Sequence, residues 1–453
     1  MTGVSDGDLD YAAGTATQIV LGTYTNDDIG VAKYDSAGNS LWAFRIGEWQ
    51  HMESVNDIAV DANGNVYVTG TFDYIVDFNP DLNAAYVLTA TGSTYDAFVC
   101  KYDTYGNFVW AKRIGGTEYA SVRSMDFNAA GELILAGNFR STCDLDPDTA
   151  TALNVTSNGS YDIFISALDT AGNLLWNKRI GNSTTESVYE MDFDTSGNIY
   201  MGGAIKGTTD FDPGAGVYNI STTFPSVFQM FLVKLDSQGN FIWALNMGGD
   251  DNTYLESLAC DEDGNVYCAG AFEGVIDFNP SAAIYNLTSA SVLKTDGFVT
   301  KFTAAGNFNW GKRFGDDVTE RVYAIELFNY NPYIAGVFSS LMVNIDGTVV
   351  STNSQFNLKT FQVKLGIVPS GIEDNEKQLL ITYPNPTTGT LYLNLEENYS
   401  KGSIYIYDLQ GRILWNETVS NSNETAIHFN GAPGEYLLKF IADDKVFVNR
   451  FVV

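Results

Sequence analysis

The sequence predicts an all-β protein: a propeller of about six four-stranded blades, the first short and the last incomplete, followed by a small β-sandwich. Three observations predict this fold. One segment returns at an almost fixed interval, each copy divides into four apolar runs separated by Asx-Gly turns, and the period stops before the last 75 or so residues. We expect residues 1–366 to form the propeller, 367–379 a linker and 380–453 the β-sandwich.

A tryptophan marks the repeat. The five copies lie 68, 66, 67 and 67 residues apart, at Trp42, Trp110, Trp176, Trp243 and Trp310. Self-similarity at a fixed period indicates supersecondary units that cannot bury their apolar faces alone and must pack against one another. On a four-strand frame these tryptophans lie on the outermost strand, so we expect them to pack between blades rather than to stack on ligands.

Each complete unit contains two hairpins. In the second unit the predicted strands A, B, C and D cover residues 54–60, 65–72, 96–102 and 108–114. The links Asp61–Asn65 and Asp103–Asn107 begin with an Asx residue and place Gly where left-handed backbone is needed, as in hairpins built on a type I turn plus a bulge. Radial repetition of such units forms a propeller, whereas a solenoid would prefer shorter repeats of about 20 to 45 residues.

The first and last units depart from this pattern. The first joins a predicted strand B, residues 18–24, directly to strand C, residues 30–34, and nothing before Asp8 has the pattern of a strand. The sixth stops after strand C, residues 360–365, without a tryptophan-bearing strand. Because the other chain end commonly completes the last blade of a closed propeller, we expect the native chain to begin further upstream, with a signal peptide and a tryptophan-bearing strand.

Composition narrows the class of partner. The chain has 24 Lys and Arg against 55 Asp and Glu, a net charge of −31. Nucleic acid and anionic membranes both require basic surface, so neither is an expected partner. No apolar run approaches the roughly 20 residues of a membrane span. The four cysteines are too sparse for a disulfide framework, and we expect buried thiols.

Two loops contain the oxygen ligands that calcium prefers. Asp144, Asp146 and Asp148 alternate along one loop, and another turn combines Asp261 and Asp263 with the Asn265 amide. Hard oxygen donors at alternate positions are how loops wrap Ca²⁺. Neither loop has the complete twelve-residue pattern with its closing Glu. Turn-holding Asx residues are therefore the preferred interpretation, and calcium binding is a possibility.

Catalytic residue types are scarce. The histidines are His51 and His428, which are too few to favour a Ser-His-Asp site or a His-ligated zinc. Acidic residues recur at equivalent turns, which favours a structural role for them over a catalytic role. Basic pairs such as Lys112-Arg113 are expected to form ion pairs with neighbouring carboxylates. We expect no catalytic activity. One unique acidic pair in the central channel would favour an enzyme, and a uniform lining would favour binding.

The repeat resembles a known family. Residues Ile58–Gly70 together with Asp96–Asp103 are similar to the bacterial SBBP-type propeller repeat, and the similarity extends over most of residues 9–366. This resemblance implies a fold rather than an activity.

The tail resembles the type A C-terminal sorting domain of the type IX secretion system of Bacteroidetes. Three ordered motifs carry the resemblance, through Tyr383, Pro384, Asn385, Pro386 and Gly389 in the first, Asp408, Gly411 and Arg412 in the second, and Gly434 and Tyr436 in the third. Membership would imply export across the outer membrane and recognition by the translocon. It would also imply removal by a surface peptidase, with attachment to lipopolysaccharide or release.

These observations predict a secreted or outer-membrane-attached scaffold for binding or adhesion, with an extracellular glycan or protein as ligand. Top-face loops and the central channel are the expected binding places, because ring symmetry brings several loops together there. Two alternatives remain: an extracellular polysaccharide-degrading hydrolase or lyase on the same propeller, and a structural component of a surface layer or filament.

Overall fold

The computed structural model consists of β-strands joined by turns and loops, with no helix in the residues it describes. The chain divides into two compact units, Met1–Ile367 and Val368–Val453. The predicted linker, 367–379, lies outside the described residues. These are 2–5, 9–10, 20–21, 28–47, 53–81, 83–92, 94–148, 150–291, 294–315, 319–328, 331–339, 342–345, 348–351, 359–365, 381–383, 390–399, 401–407, 413–419, 422–429, 431–432, 435–442 and 445–452.

The described residues of the first unit form 34 strands. In chain order they are β1 (Thr2–Ser5), β2 (Leu9–Asp10), β3 (Val20–Leu21), β4 (Asp28–Tyr34), β5 (Ser40–Ile46), β6 (Glu53–Val60), β7 (Val66–Phe72), β8 (Ile75–Asp77), β9 (Val87–Thr89), β10 (Asp96–Tyr102), β11 (Phe108–Gly116), β12 (Ala120–Phe127), β13 (Leu133–Phe139), β14 (Thr142–Asp144), β15 (Asn154–Thr156), β16 (Asp162–Leu168), β17 (Leu174–Ile180), β18 (Thr185–Phe193), β19 (Ile199–Lys206), β20 (Thr208–Asp210), β21 (Asn219–Ser221), β22 (Gln229–Leu235), β23 (Phe241–Gly249), β24 (Thr253–Cys260), β25 (Val266–Phe272), β26 (Val275–Asp277), β27 (Asn286–Thr288), β28 (Asp296–Phe302), β29 (Phe308–Phe314), β30 (Glu320–Phe328), β31 (Asn331–Phe338), β32 (Met342–Ile345), β33 (Thr348–Ser351) and β34 (Lys359–Lys364).

These strands form antiparallel sheets that follow one another along the chain, and we number them as blades. Blade 1 is β1-β4-β5, blade 2 is β6-β7-β10-β11, blade 3 is β12-β13-β16-β17, blade 4 is β18-β19-β22-β23, blade 5 is β24-β25-β28-β29 and blade 6 is β30-β31-β34. The strand order within each sheet is the order along the chain, as in a meander. The predicted all-β propeller class is confirmed.

The beginning of the chain was predicted wrongly. Thr2–Ser5 pairs with Asp28–Tyr34, so it occupies the place of strand B in blade 1. The segment assigned to strand B, 18–24, contains Val20–Leu21, which pairs with Leu9–Asp10 in a separate short hairpin. Four residues that include a glycine are too short a segment for the alternation of apolar and polar residues that predicts a strand. Their likeness to Thr69-Gly70 of blade 2 was the missed signal.

A short hairpin lies between strands B and C in each of blades 2 to 6, and two of these hairpins pair with the preceding blade. The hairpins are β8-β9, β14-β15, β20-β21, β26-β27 and β32-β33. β14 of blade 3 pairs with the end of β11 in blade 2, and β26 of blade 5 pairs with the end of β23 in blade 4. Tyr86, in the loop of blade 2, packs its ring 4.9 Å from that of Phe108 on strand D of the same blade. These inserts therefore pack laterally along the ring.

The tryptophan column packs between blades, as the sequence predicts. Trp42 Nε1 of blade 1 donates a hydrogen bond to the Thr104 carbonyl of blade 2 at 3.1 Å, and Trp110 Nε1 donates to Thr170 of blade 3 at 3.3 Å. Gly106 lies in the receiving turn with φ +85°, and a Cβ there would meet the Trp42 ring at 3.0 Å. Glycine is therefore required for both the turn and the close approach.

The hydrophobic core of the first unit lies between successive sheets. One cluster joins Tyr67 and Val99 of blade 2 to Leu135 and Phe164 of blade 3, and all four side chains are fully buried. Each blade thus buries its face against the next, as repeat architectures require.

The second unit consists of two sheets, β35-β36-β39 and β38-β37-β40-β41. Its strands are β35 (Ile381–Tyr383), β36 (Thr390–Tyr399), β37 (Gly402–Tyr407), β38 (Ile413–Val419), β39 (Ser422–His428), β40 (Glu435–Ala442) and β41 (Lys445–Val452). Residues alternate between buried and partly buried along β37, and Leu391 and Leu393 of β36 share a core with Ile404 and Ile406 of β37. This two-sheet arrangement is the predicted β-sandwich.

Candidate functional site

Five strands, β6, β12, β18, β24 and β30, are the innermost strands of blades 2 to 6, because each contacts the corresponding strand of the next blade. Each has a β-bulge at the same position, where one extra residue interrupts the pairing with strand B. The extra residues are Asn56, Arg123, Tyr189, Glu256 and Tyr323. Bulges re-aim side chains and are over-represented beside active sites, so this ring of positions is the candidate functional site.

A glycine on strand B makes each bulge possible. In blade 2, Val55 pairs with Gly70, and a Cβ at Gly70 would lie 1.8 Å from the Ser54 carbonyl oxygen. The equivalent glycines meet the same obstacle, and they are Gly137, Gly203, Gly270 and Gly336. The bulged residues were not predicted from the sequence, and the signal for them is the period of these glycines, which are spaced 67, 66, 67 and 66 residues apart.

Side-chain acceptors within three residues of the bulges link the innermost strands. Asp57 Oδ2 accepts the backbone N–H of Met125 in blade 3 at 2.6 Å. Asp192 Oδ2 accepts the N–H of Cys260 in blade 5 at 2.7 Å, and Ser257 Oγ accepts that of Ile325 in blade 6 at 3.2 Å.

The link between blades 3 and 4 joins two side chains. Ser124 Oγ of blade 3 donates to Glu190 Oε1 of blade 4 at 2.7 Å. With the three links above, every junction from blade 2 to blade 6 therefore carries a side-chain hydrogen bond near the axis.

The carboxyl groups in these links are held in a desolvated environment. Burial raises the pKa of Asp57 and of Asp192 to about 6 each. Burial also raises the pKa of Glu190 to about 7, and the negative charge of Asp57 adds to that rise. Asp57 and Glu190 belong to blades 2 and 4, so the effect of the Asp57 charge on Glu190 indicates that the two carboxyl groups lie near each other.

Five side chains from blades 3 to 6 form a group that we call the bulge cluster: Arg123, Tyr189, Tyr254, Glu256 and Arg321. Arg123 Cζ lies 5.9 Å from the centre of the Tyr189 ring, and Arg321 Cζ lies 5.9 Å from that of Tyr254. Arg321 Nη1 is 3.2 Å from Glu256 Oε1. Burial raises the pKa of Glu256, and the two arginines oppose that rise. The cluster combines cations, aromatic rings and a carboxylate.

The lining near the axis is not uniform. At the position after the bulge, blades 2 and 4 have Asp57 and Glu190, whereas the other three have Ser124, Ser257 and Ala324. An acidic pair absent from other blades is the feature expected of an enzyme. Both carboxylates also hold the ring together, however, because each accepts hydrogen bonds from a neighbouring blade and from its own strand.

In the first predicted calcium loop, successive aspartates each accept a hydrogen bond from the backbone two residues further on. Asp144 Oδ1 accepts the N–H of Asp146 at 3.1 Å, and Asp146 Oδ1 accepts the N–H of Asp148 at 2.9 Å. Asp148 Oδ1 accepts the N–H of Ala150 at 3.0 Å, and Asp146 Oδ2 accepts the Thr151 hydroxyl at 2.6 Å. Each of the three carboxylates therefore has at least one oxygen that accepts a hydrogen bond within the loop.

The second predicted calcium turn is organised in the same way. Asp261 Oδ1 accepts the N–H groups of Asp263 at 3.1 Å and Asn265 at 2.8 Å, and Asp261 Oδ2 pairs with Lys301 Nζ at 3.3 Å. A cation already neutralises that carboxylate. No group of three or more His, Cys, Asp or Glu in the described part of the chain is placed to hold a metal ion.

The arginine three residues after the tryptophan meets a carboxylate in blades 1, 2, 3 and 5, as predicted. Arg179 pairs with the buried Asp162 at 2.6 Å, and the same contact joins Arg113 to Asp96 at 2.7 Å. Blade 4 replaces the ion pair with a neutral one, in which Asn246 Nδ2 donates to Gln229 Oε1 at 3.0 Å. The four cysteines are free thiols.

Most predicted sorting-motif residues lie outside the described residues: Pro384, Asn385, Pro386, Gly389, Asp408, Gly411, Arg412 and Gly434. Tyr383 ends β35, where its backbone pairs with Tyr392. Tyr436 is buried, its hydroxyl donates to the Ala432 carbonyl at 2.6 Å, and its ring lies 4.9 Å from that of Phe429. A tyrosine that bonds to the backbone a few residues upstream fastens a strand corner in β-sandwiches.

His51 also lies outside the described residues. Nδ1 of the other histidine, His428, is 3.1 Å from Thr390 Oγ1 on the neighbouring strand of the second unit. No helix capable of spanning a membrane occurs in the described residues.

Comparison with known proteins identifies both units as the resemblances predicted. Residues 382–453 match the family described as Secretion system C-terminal sorting domain, and residues 48–71 match the family described as Beta-propeller repeat. The chain carries an SBBP repeat and the sorting domain of type IX secretion cargo of the Bacteroidetes kind. This tail points to secretion and to the cell surface, and it implies interaction with the type IX secretion machinery.

Two curated proteins are similar over part of their length. Regulatory protein FlaEY of Caulobacter vibrioides is 27% identical over 218 residues, which are 47% of this chain and 21% of that protein. The uncharacterized WD repeat-containing protein L264 of Acanthamoeba polyphaga mimivirus is 23% identical over 368 residues, 69% of this chain and 26% of that protein. The chain therefore spans about a fifth to a quarter of the length of these relatives.

A solved structure with partial similarity is Sqt1 from Chaetomium thermophilum. It is 13% identical, with a TM-score of 0.28, and the match covers 65% of this chain and 81% of that chain. A TM-score this low implies nothing further about this chain.

Proposed function

We propose that this protein is a noncatalytic binding or adhesion scaffold of the cell surface or extracellular medium, with its ligand-binding site at the bulge cluster. The observation that carries the proposal is the contrast between neighbouring positions on the innermost strands. The residue before the bulge is Val in four blades and Leu in the fifth, whereas the bulged residue is Asn, Arg, Tyr, Glu or Tyr. A repeat that keeps its core and varies one axis-facing position presents different chemistry from each blade, which suits recognition of an asymmetric ligand.

Binding of the full-length protein to a glycan array, with and without calcium, tests the proposal. We expect binding to a restricted set of glycans that weakens when Tyr189 or Tyr254 is changed to Ala. An exposed tyrosine far from the axis, Tyr105, provides the matched control, because its ring is 77% exposed. Absence of binding to any glycan or any surface protein of the source community would count against a binding scaffold.

We further propose that the translocon and a surface peptidase recognise residues 380–453. Deleting these residues should leave the protein inside the cell, and immunoblotting of cell and medium fractions would detect the intact remainder. Normal surface display of the deleted protein would contradict the proposal.

A polysaccharide-degrading hydrolase or lyase is the second candidate, because Asp57 and Glu190 form an acidic pair without counterparts in the other blades. Their raised pKa values suit proton transfer near neutral pH. The test is release of reducing ends or unsaturated sugars from a panel of acidic and neutral polysaccharides. Activity that disappears in Asp57→Asn would establish the enzyme and remove the noncatalytic proposal.

A purely structural role in a surface layer or filament is the remaining alternative. Analytical ultracentrifugation of the purified full-length chain distinguishes it, because a filament component self-associates as its concentration rises and a soluble binding scaffold stays at one size.

A further inference from the structure

Arg123 differs from the other arginines of the chain. Every other arginine with a described side chain pairs with a carboxylate, and these are Arg45, Arg113, Arg140, Arg179, Arg313 and Arg321. In the same described part of the chain, Arg123 has no ion pair and no hydrogen bond, and its near neighbour is the Tyr189 ring at 5.9 Å. The charge of Arg123 acts on Glu256, which already pairs with Arg321. In a protein with a net charge of −31, the bulge cluster therefore holds two guanidinium groups against one carboxylate.

The position of Arg123 is a consequence of the fold rather than of chance exposure. It is the bulged residue of blade 3, and its side chain is partly buried against Tyr189, the bulged residue of blade 4. A guanidinium held against an aromatic face loses water on that face and presents its N–H fork to a ligand. The complementary group is a carboxylate, which can accept two parallel hydrogen bonds from that fork.

The other residues of the bulge cluster indicate which chemical groups a ligand would carry besides its carboxylate. Tyr189 and Tyr254 offer ring faces and phenol hydroxyls, and Arg321 keeps Glu256 oriented as a hydrogen-bond acceptor. Ring faces suit the C–H faces of sugars, and a carboxylate acceptor suits sugar hydroxyls. Asp57 and Glu190 lie near the same axis and would repel a ligand with many negative charges.

We propose that the bulge cluster binds a saccharide that carries a single carboxylate, such as a uronic acid at the end of an otherwise neutral chain, with Arg123 as its carboxylate receptor. The inference rests on the proposed binding function and specifies its ligand class. A peptide with a free C-terminal carboxylate is the competing class, which lacks the ring of hydroxyls that Glu256 and the two phenols would contact.

Isothermal titration of the full-length protein with cellobiouronic acid and with cellobiose tests the proposal, because the two sugars differ in one carboxylate. We expect the acid to bind at least about tenfold more tightly, as a charge-assisted pair provides. Arg123→Ala should remove the preference, and Arg123→Lys should retain part of it. Arg140→Ala removes the same charge from an exposed surface pair and should leave the preference unchanged.

Melting curves show whether each variant is folded, and Arg123→Gln, which keeps the length of the side chain, replaces Arg123→Ala if the latter unfolds. Equal affinity for the two sugars, or a preference that survives loss of Arg123, would overturn the inference, as would binding of a hydroxyl-free carboxylated peptide in place of the acid sugar. If both sugars fail while other glycans on the array bind through Tyr189 or Tyr254, this inference falls and the proposed binding function stands.

Discussion

Replacing Glu190 with Gln should stabilise the protein above neutral pH and leave its stability unchanged in acid. Glu190 accepts hydrogen bonds from the Ser124 hydroxyl at 2.7 Å and from the Met191 N–H at 3.1 Å through the same oxygen. The amide oxygen of Gln can accept both bonds. The variant therefore removes the charge while keeping the link between blades 3 and 4.

The size of the effect follows from the pKa of Glu190. Burial raises that pKa from 4.5 to about 7, so the folded protein retains a proton that the unfolded chain has lost. The stabilisation by this protonated form is complete below pH 4.5 and is lost as the pH rises through about 7. The full difference corresponds to roughly 3 kcal/mol, or about 5 °C in melting temperature for a unit of this size.

The assay is thermal unfolding of wild type and Glu190→Gln at pH 4.5, 6 and 8.5. We expect coincident melting at the lowest pH and a higher melting temperature for the variant at the highest. Glu118→Gln is the control, because Glu118 forms an exposed pair with Arg140 and such pairs contribute little. A constant difference between Glu190→Gln and wild type across the three pH values would refute the reasoning.

Three further predictions concern the ring. Trp110→Phe should lower the free energy of unfolding by about 1 kcal/mol through the lost hydrogen bond to blade 3, and Trp110→Ala by about 3 to 5 kcal/mol, both measured by chemical denaturation. Arg179→Asn should lower the free energy of unfolding by about 3 kcal/mol, because it leaves the Asp162 carboxylate buried without its cation. The double variant Arg179→Asn with Asp162→Gln recreates the neutral pair of blade 4 and should recover most of that loss. Calcium should not raise the melting temperature, because the carboxylates of Asp144 and Asp261 already hold their turns; a rise that chelator reverses would revive the calcium hypothesis.

The parts of the fold that the sequence predicts are those that repeat. A tryptophan every 67 residues or so and an Asx-Gly turn in most hairpins are local signals, and the copies reinforce one another. The same periodicity placed Trp110 between blades and Arg179 beside a carboxylate, because a repeated basic residue on an acidic chain must find its partner in every unit. The β-sandwich predicted for the second unit is also found, since its apolar residues alternate clearly.

The parts that escaped prediction depend on contacts between distant segments. Thr2–Ser5 forms a strand because it pairs with Asp28–Tyr34, and its own four residues do not predict a strand. The bulges arise where a glycine lets two backbones approach, which no periodicity of apolar residues reveals. Burial between blades raises the pKa of Glu190, and part of the rise comes from Asp57, two blades and more than 130 residues away.

The bulge explains how one repeat can serve both stability and recognition. In blade 3, the residues before and after the bulge have structural roles: Val122 is fully buried, and Ser124 donates a hydrogen bond to the next blade. An extra residue inserted between them does not belong to the ladder, so its side chain can change without cost to the pairing. That freedom places Arg123 in blade 3 where blade 4 has Tyr189. If this reasoning holds, exchanging these two side chains between blades should preserve the melting temperature while abolishing ligand binding, and unfolding of the exchanged protein would show that the bulge position is structural after all.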